Sequence, residues 1–100
     1  NCIKLNDVTC MENWTFTHAS NIGRHINMSG MFYMCNNLSN DSLYAITNFF
    51  INIGSYVHSN CLNLYNNNSY SPFYSTNISL TNRLDTNQRA RLTSAGYRFN

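Results

Sequence analysis

The strongest pattern along the chain lies between residues 39 and 61, where apolar side chains alternate at spacings of three and four residues. They are Leu43, Ile46, Phe50, Ile53 and Val57. This is the period of one face of an α-helix, and Asn48 and Asn52 fall on the opposite face. Ser39, Asn40 or Asp41 can accept hydrogen bonds from the first unpaired amides, and the Asp41 carboxylate also suits the positive end of a helix. The pattern therefore predicts a helix over about residues 41–58. Gly54 weakens it by about 1 kcal/mol relative to Ala and allows a neighbouring strand to approach closely.

Alternating or β-branched and aromatic positions predict several short strands around this helix. They cover residues 1–10, 12–18, 31–35, 61–65, 73–80 and 96–100. Amides, hydroxyls and glycines at residues 19–30 predict turns, and residues 66–72 predict a loop. Asp85 followed by Gln88 is a capping-box variant, which predicts a two-turn helix that ends near Gly96. The expected fold is one α+β domain over residues 1–100, with a mainly antiparallel sheet covered by the long helix and a short C-terminal helix.

Cysteine count adds two predicted disulfides to this fold. The four cysteines are Cys2, Cys10, Cys35 and Cys61. An even number in a 100-residue chain is typical of a secreted protein, and three pairings are open. Pairing the N-terminal cysteines with Cys35 and Cys61 is favoured because it would tie the first strand to both ends of the helix. No Cys/His group has zinc-site spacing, so neither a metal nor another cofactor is expected.

Composition points to the same compartment more weakly. The chain has 19 asparagines but only 10% charged residues. Six Asn-X-Ser/Thr sequons are candidate N-glycosylation sites: Asn13, Asn27, Asn37, Asn40, Asn67 and Asn77. An Asn-rich chain contains nearly four such matches by chance, so the excess is small. A start at Asn is consistent with a processed chain whose signal peptide has been removed.

Arginines near the C-terminus are the candidate anion site. Arg83, Arg89, Arg91 and Arg98 lie within sixteen residues of one another, and guanidinium groups suit sulfate, phosphate or carboxylate groups. A solvated polar face is the simpler interpretation. A pI near 8.5 is too mild to indicate nucleic acid.

Histidines allow one catalytic hypothesis. His18, His25 and His58, with a nearby cation, are the parts of a secreted ribonuclease. His18 also suits a packed core, and His58 suits a helix C-terminus without catalysis. Carboxylates are too few and scattered for a glycosidase pair. No catalytic residue is therefore assigned, and the chain is expected not to be an enzyme.

A binding role is the leading functional hypothesis. The loop over residues 66–74 exposes Tyr70, Phe73 and Tyr74, and loops of this composition make adaptable contacts. Together with Arg89, Arg91 and Arg98, these residues predict a secreted or surface-displayed recognition protein, such as a viral or other pathogen ectodomain or a chain cut from a larger precursor. Its partner would be a cell-surface protein or an anionic glycan, and a second chain of the same precursor is a further candidate.

The runner-up hypothesis is a secreted toxin. In size, cysteine usage and order of elements the chain resembles fungal killer toxins, although it shares no motif with them. This resemblance implies attack on the membrane of a target cell. The predicted helix fits such a role poorly because its polar face lacks the Lys and Arg of membrane-active helices. Its asparagines also exclude a membrane-spanning helix.

Overall fold

The computed structural model describes residues 24–100. The predicted strands over residues 1–10 and 12–18 lie outside this range, as do Cys2, Cys10, Asn13 and His18. Helices are the main regular structure of the described chain.

The predicted long helix is α1, Asn40–Ile53. Ser39 caps it, since its hydroxyl accepts a hydrogen bond from the Ser42 amide at 3.1 Å. All five residues of the predicted apolar stripe are buried, so core packing is the correct interpretation of this pattern. The helix is shorter than predicted because the chain tightens into a three-ten helix at Gly54–Tyr56. At this end of the helix, the Arg24 side chain donates hydrogen bonds to the carbonyl oxygens of Gly54 and Val57 at 2.9 and 3.2 Å.

Two shorter helices follow. The first is α2, Leu80–Arg83, and the second is α3, Thr86–Ser94. The Asp85 carboxylate accepts a hydrogen bond from the Gln88 amide at 2.8 Å, as the capping-box pattern predicts. Just past the end of α3, Gly96 has a φ of +103°, a left-handed conformation that favours glycine. The predicted C-terminal helix is thus confirmed at both ends.

The predicted antiparallel sheet is wrong for the described chain. Residues 24–100 contain only two isolated bridges, Ile26 to Val57 and Asn63 to Arg98, and both are parallel. No sheet exists there for α1 to cover. The α+β assignment is therefore replaced by a mainly helical fold with long turns.

Turns replace strands because local hydrogen bonds satisfy the backbone of these segments while their apolar side chains pack into the core. Within residues 31–35, the Cys35 amide donates to the Phe32 carbonyl at 2.9 Å. The Phe32 and Cys35 side chains are buried in this turn, whereas Tyr33 is exposed. Residues 73–76 form turns, residues 77–79 lead into α2, and residues 61–65 begin in a three-ten helix, Ser59–Leu62. The C-terminal segment makes one bridge at Arg98.

Aromatic rings run through the core from one loop to α1. Phe73 stacks on Phe32 at 5.5 Å between centroids and tilts against Phe50 at 6.0 Å. Phe50 in turn stacks on Tyr97 at 5.9 Å. The Tyr97 hydroxyl donates to the Phe50 carbonyl at 2.7 Å, and burial raises the pKa of this phenol.

The predicted pair of disulfides is also wrong. Cys61 is a buried free thiol, which receives a hydrogen bond from the Met28 amide at 3.4 Å. Cys35 and Cys61, the two cysteines of the described range, are therefore not joined. With Cys61 free, three of four cysteines remain, so two disulfides cannot form within the chain.

Candidate binding surface

Residues 66–74 form a loop of consecutive turns, as predicted. The Ser71 amide donates to the Asn68 carbonyl at 2.9 Å, and the Tyr74 amide donates to the Ser71 carbonyl at 3.1 Å. Phe73 is fully buried and belongs to the core, so it cannot contact a partner. Tyr70 and Tyr74 are exposed. The loop therefore presents two of the three predicted binding residues and uses the third as its anchor.

A second segment, residues 28–35, runs beside this loop. The Gly30 amide donates to the Ser71 carbonyl at 3.0 Å, and the Phe32 amide donates to the Pro72 carbonyl at 2.8 Å. Beneath these bonds the Phe32 and Phe73 rings stack. Two backbone hydrogen bonds and a buried ring pair hold the two segments together. The exposed side chains of these segments are therefore carried by a rigid backbone.

Four exposed side chains on these segments form what we term the aromatic surface. They are Met31, Tyr33, Tyr70 and Tyr74. The rings of Tyr33 and Tyr74 lie 6.1 Å apart, yet Tyr33 is 43% exposed and Tyr74 36% exposed. The sequence pattern did not single out Met31 and Tyr33, because it predicted a strand over residues 31–35. The sequence signal that could have indicated a binding surface is the combination of two methionines with two aromatic residues over residues 31–34.

Backbone strain occurs directly beside the paired tyrosines. Met34 has a φ of 59° and Ser75 a φ of 61°, and each immediately follows one tyrosine of the pair. Among residues 24–100 these are the two non-glycine residues with positive φ. This conformation costs about 1–3 kcal/mol per residue and tends to cluster at functional sites. The strain therefore points to the same surface as the exposed rings.

A cavity of about 290 Å³ adjoins the aromatic surface. Met31 belongs to both, and the other walls of the cavity are mainly apolar. They are formed by Ile26, Asn27, Met28, Ser29, Phe49 and Ile53. Methionine side chains adapt to differently shaped partners, so Met28 and Met31 suit a wall that a ligand contacts.

Three of the four arginines of the predicted anion site make side-chain hydrogen bonds within the fold. Arg91 is bound by Asn48 at 3.1 Å and by Gln88 at 3.0 Å. Arg89 donates to Thr86 at 3.3 Å within its own helix, while the backbone of Arg98 bridges to Asn63. Arg83 binds the Asn40 side chain and the Leu38 carbonyl near the start of α1. Of these arginines, Arg83 and Arg91 join different parts of the fold through their side chains.

His25 and His58 flank the bridge between Ile26 and Val57. Both are exposed, and His58 Nδ1 accepts a hydrogen bond from the Asn60 amide at 3.2 Å. One nitrogen of His58 therefore caps a three-ten helix. Within the described range, no group of three or more His, Cys, Asp or Glu side chains could hold a metal ion.

Comparison with known proteins shows no relative from which a site could be transferred. The chain matches no protein-family description, and no curated protein or solved structure is detectably similar to it. Function has to be inferred from the residues of the chain itself.

Proposed function

We propose that this protein is a secreted or surface-displayed recognition protein that binds a cell-surface protein through the aromatic surface. The observation that carries the proposal is the exposed Tyr33–Tyr74 pair, held at 6.1 Å by two segments that are anchored in the core. Tyrosine is enriched among residues that dominate binding energy, because it offers a large contact area with few rotatable bonds.

Exposure of these side chains is unfavourable for the isolated protein. Tyr33, Tyr70, Tyr74 and Met31 leave apolar area in water on two neighbouring segments, and such patches mark interaction sites. A partner that buries this apolar area removes it from water, which is favourable by about 25 cal/mol per Å² before the costs of association are subtracted. A protein partner is favoured over an anionic glycan because Arg83 and Arg91 are already bound within the fold.

The toxin hypothesis receives no support from α1. Its apolar stripe, from Leu43 to Ile53, is buried in the core, so the helix offers no free apolar face to a membrane. None of the helices in residues 24–100 is both long enough and apolar enough to cross a bilayer.

The test compares two alanine variants that remove exposed tyrosines. Fluorescently labelled protein is titrated on a panel of intact bacterial, yeast and animal cells, and saturable binding is measured by flow cytometry. We expect the Y33A/Y74A double variant to weaken binding by about tenfold or more, which corresponds to about 1.4 kcal/mol.

Tyr65 provides the matched control. It is 48% exposed, similar to Tyr33, but lies outside the aromatic surface, so Y65A should bind like the natural chain. Equal loss in both variants, or no saturable binding to any cell type, would contradict the proposal. Circular dichroism of all three proteins shows whether the fold is kept.

A further inference from the structure

We propose that Asn67 is an attachment site for an N-linked oligosaccharide, and that a transferase can modify it after the chain has folded. Among the sequons of residues 24–100, the Asn67 sequon is distinguished because none of its three residues is buried. The inference rests on the secretory location put forward above, but its chemistry can be tested without a cell-surface partner.

Attachment requires that the enzyme reach both ends of a sequon at once. The Asn67 Nδ2 atom attacks C1 of the first sugar of a lipid-diphosphate-linked oligosaccharide. A C–N bond forms, the C1–O bond breaks, and the lipid diphosphate leaves with the electron pair. The amide proton is released to a base. Because the sequon is defined by Asn and by the hydroxyl two residues later, all three residues must enter the enzyme's site.

The Asn67 sequon meets this requirement in the folded protein. Asn67 and Ser69 are exposed, and Asn68 between them is half-buried. The three residues lie in a turn region, where the Asn68 side chain accepts a hydrogen bond from the Tyr70 amide at 2.8 Å. Neither the Asn67 amide nor the Ser69 hydroxyl is tied to another described side chain.

Two other sequons are inaccessible to an enzyme because they include residues of the cap and first turn of α1. In the Asn40 sequon, Ser42 is fully buried and its hydroxyl accepts a hydrogen bond from Ser39 at 2.9 Å. In the Asn37 sequon, that same Ser39 is the helix cap, and Leu38 is buried in the core. Presenting either sequon to an enzyme would require the start of α1 to unfold.

The two remaining sequons each have a buried middle residue. Met28 lies in the core between Asn27 and Ser29, and the Ser29 hydroxyl is 3.4 Å from the Cys61 sulfur. Ile78 is likewise buried between Asn77 and Ser79. Local opening has to precede modification at these positions, which lowers their rate in the folded state.

The experiment uses the purified, unglycosylated protein with a purified single-subunit oligosaccharyltransferase and a lipid-linked oligosaccharide. The folded protein and an unfolded F50D variant, which places a carboxylate at a fully buried core position, are treated in parallel without denaturant, and site occupancy is measured by glycopeptide mass spectrometry. In the folded sample we expect Asn67 to be modified about tenfold faster than Asn27, Asn37, Asn40 or Asn77. In the unfolded sample this preference should largely disappear.

Variants that each remove one sequon test whether the place of a sequon in the fold, and not the Asn-X-Ser/Thr pattern itself, sets its rate of modification. N67Q should remove most of the modification that the folded protein receives within residues 24–100, whereas N77Q should leave it nearly unchanged. Modification of a second sequon within residues 24–100 as fast as Asn67 in the folded protein would overturn the proposal, and so would an unmodified Asn67 in either sample. Binding of the N67Q variant to cells reports separately on the aromatic surface, so failure of one proposal does not imply failure of the other.

Discussion

At the scale of single residues, neighbouring aromatic side chains have opposite roles. Phe73 is fully buried, whereas Tyr74 beside it is 36% exposed. Phe is fully buried more often than Tyr, but both types also occur at protein surfaces, so residue type alone did not separate them. The difference is set by backbone conformation. Ser75 has a φ of 61°, and the turn before it directs Phe73 into the core and Tyr74 outward.

The strain at Ser75 can be measured by replacing it with glycine. S75G should raise the free energy of unfolding by about 0.5–1 kcal/mol, because relief of left-handed strain exceeds the added entropy of the unfolded chain. Urea denaturation gives this value. S55G is the control, since Ser55 lies in a three-ten helix without positive φ and its replacement should destabilise. A loss of stability in S75G would show that its φ is not a source of strain.

At the scale of elements, α1 and α3 meet through a polar contact and a close backbone approach. Gln88 of α3 donates to Thr47 and Asn48 of α1, both at 2.8 Å. At the end of α1, a Cβ atom added to Gly54 would lie 2.8 Å from the Ala95 carbonyl oxygen. The close approach predicted at Gly54 is therefore real, but its neighbour is the end of a helix and not a strand.

Gly54 is thus expected to resist replacement by alanine. G54A should lower the free energy of unfolding by about 1–3 kcal/mol, because backbone atoms cannot yield as a flexible side chain would. Thermal or urea unfolding measures this change. S55A is the control at the next position, which is exposed, and should change stability by less than about 0.5 kcal/mol. If both variants were equally stable, the approach of Ala95 would not be tight.

At the scale of the whole molecule, the fold is held by a buried core that includes Cys61 as a free thiol. The cysteine count suggested an oxidising compartment, and the free Cys61 removes part of that support. Secretion therefore remains a proposal that the sequons favour.

Reactivity of Cys61 tests this arrangement. In the native protein the thiol is buried, so iodoacetamide should label it slowly. In urea without reductant the same peptide should be labelled fully, because no disulfide has to be broken first. Peptide mass spectrometry checks both conditions. A Cys61 peptide that is labelled only after reduction would show that Cys61 is disulfide-bonded, which contradicts the free thiol.

Local patterns determined that α1 and α3 form and where each helix begins. The apolar period from Leu43 to Ile53 and the caps at Ser39 and Asp85 involve residues only a few positions apart. These helices can therefore be predicted from the local sequence. Only the tertiary structure decided that residues 31–35 and 73–80 form turns, that Phe73 is buried and Tyr33 exposed, and that Cys61 is unpaired. These outcomes depend on partners distant in sequence. A short apolar run can satisfy its backbone in a strand or in turns, and the choice depends on what packs against it.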